Sequence, residues 1–294
     1  MKKKKKIELG QIVLNAFFVI IAVCYLAPFA ILVMVSLTDE TALYQNGYRL
    51  IPEKLSTLGY ELVFAKPDQI IQGYITTITF SVIATLLSLL VMALLAYPLS
   101  RPNFLWKKQL NFLVYFTMLF NGGMVPTYLL ITNVLHINNT ILVYILPSLV
   151  SAYNVMIIRT NYRSIPDELI EAAKIDGAKE LFICFKIIIP LAKPGLASVA
   201  FLYFVNKWND WMTSMLYIKK QELYSLQYLL QRILREVEYL KNSVGVSSFD
   251  LMDQPPVEAL RFAMALVAAG PVLVIFPLFQ KYFTKGLTVG GIKG

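Results

Sequence analysis

Six long stretches of this chain carry almost no charge, and they limit what it can fold into. Ile12–Val35 runs for 24 residues without a charged side chain. Ile70–Ser100, Leu110–Leu135, Ile141–Ile158, Ile187–Tyr217 and Phe262–Phe279 follow, the fifth carrying Lys207 and Asp210 as well as Lys193 near its start. About 20 apolar residues in a helix cross the hydrocarbon of a bilayer. Inside it, only helices and closed barrels satisfy their own backbone groups. The expected fold is therefore an all-α integral membrane protein of six transmembrane helices, near residues 12–36, 70–100, 110–135, 141–160, 187–217 and 258–283. Residues 1–294 read as a single transmembrane domain. A signal peptide has an apolar core of only about 7–15 residues. The first run is longer and has no small-residue cleavage pattern, so it reads as a retained helix.

Composition agrees. The chain is 57% hydrophobic and 15% charged, against roughly 45–50% and 25% in soluble domains. A net charge of +9 would suit nucleic acid. Here, however, the basic residues gather at the ends of apolar runs, so no nucleic-acid partner is expected. Cys24 and Cys184 read as free thiols, and the one histidine, His136, gives no basis for a metal or nucleophile site. No catalytic residue is expected. With Lys2–Lys6 on the inner face, that face holds 17 Lys and Arg residues and the outer face 8. Positive charge stays inside. Both termini and the loop of residues 161–186 are thus expected in the cytoplasm of a bacterial cell, with the chain passing repeatedly through the plasma membrane among its lipids. Gly286–Lys293 lacks the spacing of a phosphate-wrapping loop. If ATP is used, another chain hydrolyses it.

Residues 37–69 and 218–256 form the outer segments. The first is rich in turn formers: Asn46-Gly47, Pro52, Gly59 and Pro67. Within the second, Leu226, Leu229, Leu230, Ile233 and Val237 recur at helical spacing opposite Arg232, Arg235, Glu236 and Lys241. This helix is either a lid packed on the outer mouth or a docking surface for an external partner.

The cytoplasmic stretch Glu171–Pro190 interrupts the apolar pattern. Ser164-Ile-Pro-Asp167 has the form of a capping signature, with Asp167 and Glu168 suited to a helix N-terminus. Ala172 and Ala173 give the following helix a flat face. Gly177 suits the positive φ that ends it. A second short helix, Lys179 to Ile187, presents Leu181, Phe182 and Phe185, and Pro190 and Pro194 mark re-entry into the membrane. By itself this pattern also describes an ordinary interfacial loop.

Glu171-Ala-Ala173, Gly177 and Ile187-Ile-Ile-Pro190 resemble the EAA motif of ABC importer permeases, with Ile189-Pro190 where that motif ends in Leu-Pro. Asp176 and Pro190–Pro194 look like the carbohydrate-uptake subfamily. Phe204–Trp211 is similar to the fifth-helix signature of sugar permeases. Lys281–Gly294 is similar to the tail of the maltose-type second permease. Asn46-Gly47, Ser56–Phe64 and Asn121–Pro126 are similar to a narrower group for complex saccharides of the aldouronate type. The resemblance implies a type I ABC importer permease whose coupling helix sits in a cleft of an ATPase. Glu171, Ala172, Ala173, Asp176, Gly177 and Pro190 would carry the coupling. Gly286, Gly290 and Lys293 would lie in a tail reaching the ATPases. The implied partners are a second, non-identical permease, an ABC ATPase dimer that binds ATP and Mg, an extracellular solute-binding lipoprotein and an oligosaccharide. No cofactor is expected in this chain.

Polar groups inside lipid usually face a cavity or the bundle interior. Asn206, Asn209 and Asp210, with the ring of Trp208, are candidates for the sugar path. Counted from Ile187 they stand roughly 28 Å along a helix, near the outer mouth. The alternative is interfacial anchoring, with Lys207 snorkelling and Trp208 and Trp211 in an aromatic belt. Asn121-Gly122-Gly123, followed by Pro126, is expected to kink or open the third helix. Asn121 then either touches substrate or marks a hinge, and Asn154 either lines the path or bonds a neighbouring helix. Glu258 and Arg261 read as a helix-end ion pair. The expected function is ATP-driven oligosaccharide import. The alternatives are import of a non-sugar solute, an ATP-independent channel, or a secondary carrier.

Overall fold

The computed structural model describes residues 9–243 and 256–289. In chain order the helices are α1 (Leu9–Ser36), α2 (Glu40–Asn46), α3 (Leu58–Val63), α4 (Pro67–Ser100), α5 (Lys107–Leu119), α6 (Met124–Leu129), α7 (Leu142–Ile145), α8 (Ala152–Arg163), α9 (Glu168–Ile175), α10 (Glu180–Ile183), α11 (Ile189–Leu191), α12 (Lys193–Trp208), α13 (Met212–Tyr217), α14 (Leu226–Ser243) and α15 (Val257–Val289). π-helical turns follow α6 (Leu130–Val134) and α10 (Cys184–Ile188). Among the described residues the extended backbone pairing is one isolated bridge, Thr38 with Leu55.

Three helices are long and apolar enough to cross a membrane: Gly10–Ser36, Pro67–Ser100 and Val257–Pro277. Of the other three apolar runs, the third is expected to kink and the fourth and fifth to run as single helices, and all three are bent. Lys107–Leu119 meets Met124–Val134 at 109°, Leu142–Ser148 meets Ala152–Arg163 at 56°, and Glu180–Leu191 meets Lys193–Trp208 at 79°. The causes are local. Gly123 has φ +89°, a conformation open to glycine at little cost. Ser151 is extended and its Oγ accepts the N–H of Asn154, starting α8 afresh. Pro194 sits in the first turn of α12, where its missing N–H costs nothing. Among the described residues there are thus three candidate spans, or up to six if each bent pair is one span.

Contacts divide the chain into two compact units, Met1–Pro67 with Leu230–Ala269 and Asp68–Leu229 with Gly270–Gly294. In the first, Val35, Leu43 and Ala259 form a small core. Glu40, 6% exposed, accepts the N–H groups of Glu258 and Ala259, both at 3.0 Å. It thereby satisfies two of the four orphan donors that begin α15. A Cβ on Gly59 would lie 2.9 Å from the Ala259 carbonyl group, so α3 reaches α15 only because that side chain is absent. The anticipated Glu258–Arg261 pair forms at 3.1 Å, and Arg261 also binds Glu238 at 2.9 Å.

The second unit is built around α4. Phe80, Ala84, Ser88, Met92 and Ala96 form a buried stripe at helical spacing. Phe80 stacks on Tyr144 with centroids 4.1 Å apart. Ser88 donates to the Tyr203 hydroxyl at 2.8 Å, and Tyr203 donates to the Ser148 carbonyl at 2.6 Å. At the start of α14, Leu226 and Leu229 turn inward, as the amphipathic pattern anticipates.

Candidate functional site

Two features of the second unit hold the functional candidates. The first is a cavity of about 620 Å³ where helices break. One wall is the gap between α5 and α6, with Asn121 and Gly123. The other is the end of α12 and the gap before α13, with Asn206, Lys207, Asn209, Asp210 and Trp211. Each gap closes its backbone locally. Asn121 Oδ1 accepts the Gly123 N–H at 2.9 Å, the pattern of an Asx turn. Asp210 accepts the Thr213 N–H at 3.0 Å and its hydroxyl at 2.8 Å, holding the start of α13. Asn209 donates to the Val205 carbonyl at 2.9 Å and accepts from Gln227 at 3.2 Å. Asn206 is exposed on the wall.

Lys207 does not snorkel. It is 6% exposed, donates to the Tyr144 carbonyl at 3.0 Å and pairs with Asp210 at 3.6 Å. The pair neutralises the ionic charge of the lining and leaves amides, hydroxyls and rings to meet a solute. Asn121, far away in sequence, and Asn206, Asn209 and Asp210 therefore line one cavity from its two walls. Asn154 and Trp208 do not line it. Asn154 contributes its N–H to Ser151. Trp208, 1% exposed, packs on Phe204 and Tyr74. Trp211 and Tyr217 supply rings to the lining instead, with Tyr217 stacked on Tyr128. Sequence reasoning missed Thr127 and Ser148 in the wall, since isolated hydroxyls in apolar runs carry no signal of their own. The height of the site also changes. α12 starts at Lys193 and ends at Trp208, so Asn206 stands roughly 20 Å along it, in its last turn.

The second feature is the loop of residues 161–186. Ser164 does not cap α9; its Oγ donates to the Asn161 carbonyl at 2.7 Å and closes α8. Asp167 stands at the N-cap of α9 and takes Arg101 at 3.1 Å. α9 then ends as the glycine suggests. Gly177 has φ +77°, its N–H reaches the Lys174 carbonyl, and that of Ala178 reaches the Ala173 carbonyl. These two bonds form a Schellman cap. Glu171, Ala172, Asp176 and Gly177 are exposed, Ala173 half-buried, and Pro190 lies in α11. Beside them, Ala173, Asp176, Gly177 and Phe182 line a groove of about 500 Å³. Ile175 (87% exposed), Leu181 and Phe182 make the surface apolar. Glu180 receives Lys174 at 2.6 Å and the Tyr97 hydroxyl at 2.5 Å, and these bonds hold its carboxyl below the usual carboxylate range.

Gly286 falls within α15. Gly290, Lys293 and the basic stretch Lys2–Lys6 lie outside the described residues. Cys24 and Cys184 are free thiols. Among the described residues, no three His, Cys, Asp or Glu side chains are grouped to hold a metal ion.

Residues 66–289 match the family described as binding-protein-dependent transport system inner membrane component. The chain belongs to this family. It is 33% identical over 289 residues to the polygalacturonan/rhamnogalacturonan transport system permease protein YtcP of Bacillus subtilis, covering 98% of this chain and 100% of that one. It is 29% identical to the arabinooligosaccharides transport system permease protein AraQ of Halalkalibacterium halodurans, over 99% and 100% of the two chains. Among solved structures, it resembles a chain of a bacterial ABC transporter involved in the import of the acidic polysaccharide alginate, with a TM-score of 0.76, 27% identity, and coverage of 96% and 99%. The chain is thus the permease subunit of an ABC importer, a transport component rather than an enzyme.

Proposed function

We propose that this permease carries an oligosaccharide through the cavity at the broken helices, supplied by an extracellular solute-binding lipoprotein and driven by an ATPase dimer. The observation that carries this reading is the cavity lined in common by Asn121, Asn206, Asn209 and Asp210. Amides and a carboxylate match sugar hydroxyls, and Trp211 offers an aromatic face to the C–H side of a ring. Broken backbone at membrane depth is tolerated where it lines a cavity. Relatives named for pectic and arabinose oligosaccharides support the same class.

In this reading the three straight helices and the three bent pairs make six spans, with both termini in the cytoplasm. Residues 1–294 act as one transmembrane domain. A second, non-identical permease completes the path. Glu171, Ala172, Ala173, Asp176, Gly177 and Pro190 form the ATPase-facing coupling element, and Gly286, Gly290 and Lys293 belong to a tail directed at the ATPases. ATP and Mg are bound there, not in this chain. ATP closes the ATPase pair, the loop moves with it, and the spans alternate between outward and inward access. Reciprocal linkage requires that a loaded binding protein also bias the ATPase.

The test is reconstitution of the full complex in liposomes with oligogalacturonides and arabino-oligosaccharides as probes. Solute-stimulated ATP hydrolysis with matching uptake is expected. Uptake that persists without the ATPase and follows an ion gradient would overturn the reading in favour of a carrier.

A further inference from the structure

Arg101 and Tyr97 stand apart from the loop in sequence, yet they hold it. The Arg101 guanidinium, 8% exposed, uses three of its nitrogens. Nη1 donates to Asp167 at 3.1 Å, Nη2 to the Tyr162 carbonyl at 3.2 Å, and Nε to Ser100 Oγ at 2.9 Å. It also lies 5.6 Å from the centre of the Tyr97 ring. One turn earlier, the Tyr97 hydroxyl donates to Glu180 at 2.5 Å. The end of α4 therefore grips the loop on both sides of the Gly177 turn, through Asp167 at the head of α9 and Glu180 at the head of α10.

The other end of α4 is also fastened. The Thr76 hydroxyl donates to the Glu222 carbonyl at 2.9 Å, and Thr77 Oγ1 accepts the Leu226 N–H at 2.8 Å. Gly73 lies beside this contact, and a Cβ there would stand 3.4 Å from the Leu226 backbone, an ordinary packing distance. Between Thr77 and Tyr97 runs unbroken helix, about 30 Å at 1.5 Å per residue. It also bonds through Tyr203 to Ser148 in the cavity wall.

We propose that α4 is the connecting rod of this permease, with Tyr97 and Arg101 as positioning residues that make it follow the loop and Thr77 as the point where it moves the segment leading into α14. The reason is energetic. A loop that shifted without α4 would leave the buried Arg101 charge without its acceptors, which is far more costly than moving a stiff helix along with it. Among the described residues, Arg159 of the flanking α8 merely returns a bond to the Leu99 carbonyl at the same end of α4. Thus the rod, rather than the nearest neighbour in sequence, carries the displacement. The proposal rests on the reading that the loop receives the ATPase.

The test follows one reporter in the complete complex. A cysteine is placed at the exposed Gln221, after Cys24→Ser and Cys184→Ser. Its maleimide labelling rate is measured with and without ATP plus vanadate. Tyr97→Phe and Thr77→Val should each weaken the ATP-dependent change in labelling by about threefold, the scale of one net hydrogen bond. The double variant should lose no more than the worse single variant, because both act on one rod. A Tyr97→Phe complex with normal co-purification and an undiminished ATP response would overturn the proposal, as would losses that simply multiply. Should Tyr97→Phe fail to assemble, Glu180→Ala removes the same bond from the loop side, together with the Lys174 pair, and must give at least the same loss. Gly177→Pro separates the two readings. If that complex still transmits ATP to the reporter, the loop is not the coupling element. If it does not while Tyr97→Phe transmits normally, the rod alone is wrong.

Discussion

The loop and the cavity both interrupt helices, and they do so in opposite ways. At the loop, backbone satisfies backbone. The Gly177 turn closes with two main-chain bonds, and Glu171, Ala172, Ile175 and Leu181 stay free to face outward. At the cavity, side chains satisfy backbone: Asn121, Asn209 and Asp210 each spend hydrogen-bonding capacity on their own helix ends. A docking surface of uncommitted residues can be rebuilt for a new partner without unfolding. A cavity whose recognition groups also hold its walls cannot be retuned so freely.

The contrast can be broken from either side. The largest effect is expected from Gly177→Pro. Proline fixes φ near −65° and has no N–H, so both the +77° turn and the bond to Lys174 are lost. Uptake should fall to background while the subunit still inserts, and normal uptake with normal ATPase co-purification would refute the loop's role. Next is Asp210→Ala, which removes the support of α13 and leaves Lys207 buried without its carboxylate. Breaking such a pair costs about 3–5 kcal/mol, so the melting temperature of the purified complex should drop together with uptake. A variant that lost uptake at unchanged melting temperature would make Asp210 purely a solute ligand.

Leu181→Ala should do the reverse. It should weaken ATPase co-purification with little change in melting temperature, because that side chain is exposed. Asn206→Ala is milder still, raising the KM for uptake by a few-fold, as expected for one net hydrogen bond of about 1 kcal/mol. Unchanged kinetics would remove Asn206 from the path. The smallest effect concerns pH. The Glu180 carboxyl is held below its ordinary value of 4.5, so its bonds contribute in full above that pH and are lost as pH falls through the lower, folded value. Glu180→Gln should flatten this acid loss of ATPase coupling, and an identical acid profile in both proteins would count against the Lys174–Glu180–Tyr97 link.

Much of this was legible in the residues. Charge-free runs located α1, α4 and α15, Gly122-Gly123 announced a break, and Gly177 marked the loop's turn. The break at Ser151 was harder to see, since apolar residues flank it on both sides and periodicity alone reads through it. The breaks also explain which polar residues line the cavity: Asn121 and Asp210 reach it because each lies where its helix stops. Trp208 and Trp211 look equivalent in sequence, but the gap after Asn209 sends one ring into the core and the other to the cavity. Arg101 and Tyr97 gave no signal, because a basic residue at a membrane edge already has an ordinary explanation.

Glu40 has a further consequence, for biogenesis. Its carboxylate precedes its partner Glu258 by 218 positions, so nearly the whole chain is synthesised before the two can meet. Until then a charged group awaits donors that do not yet exist, and the beginning of α15 arrives with its own amides unanswered. The first unit is therefore sealed last, when the final helix enters and the oldest part of the chain closes over it.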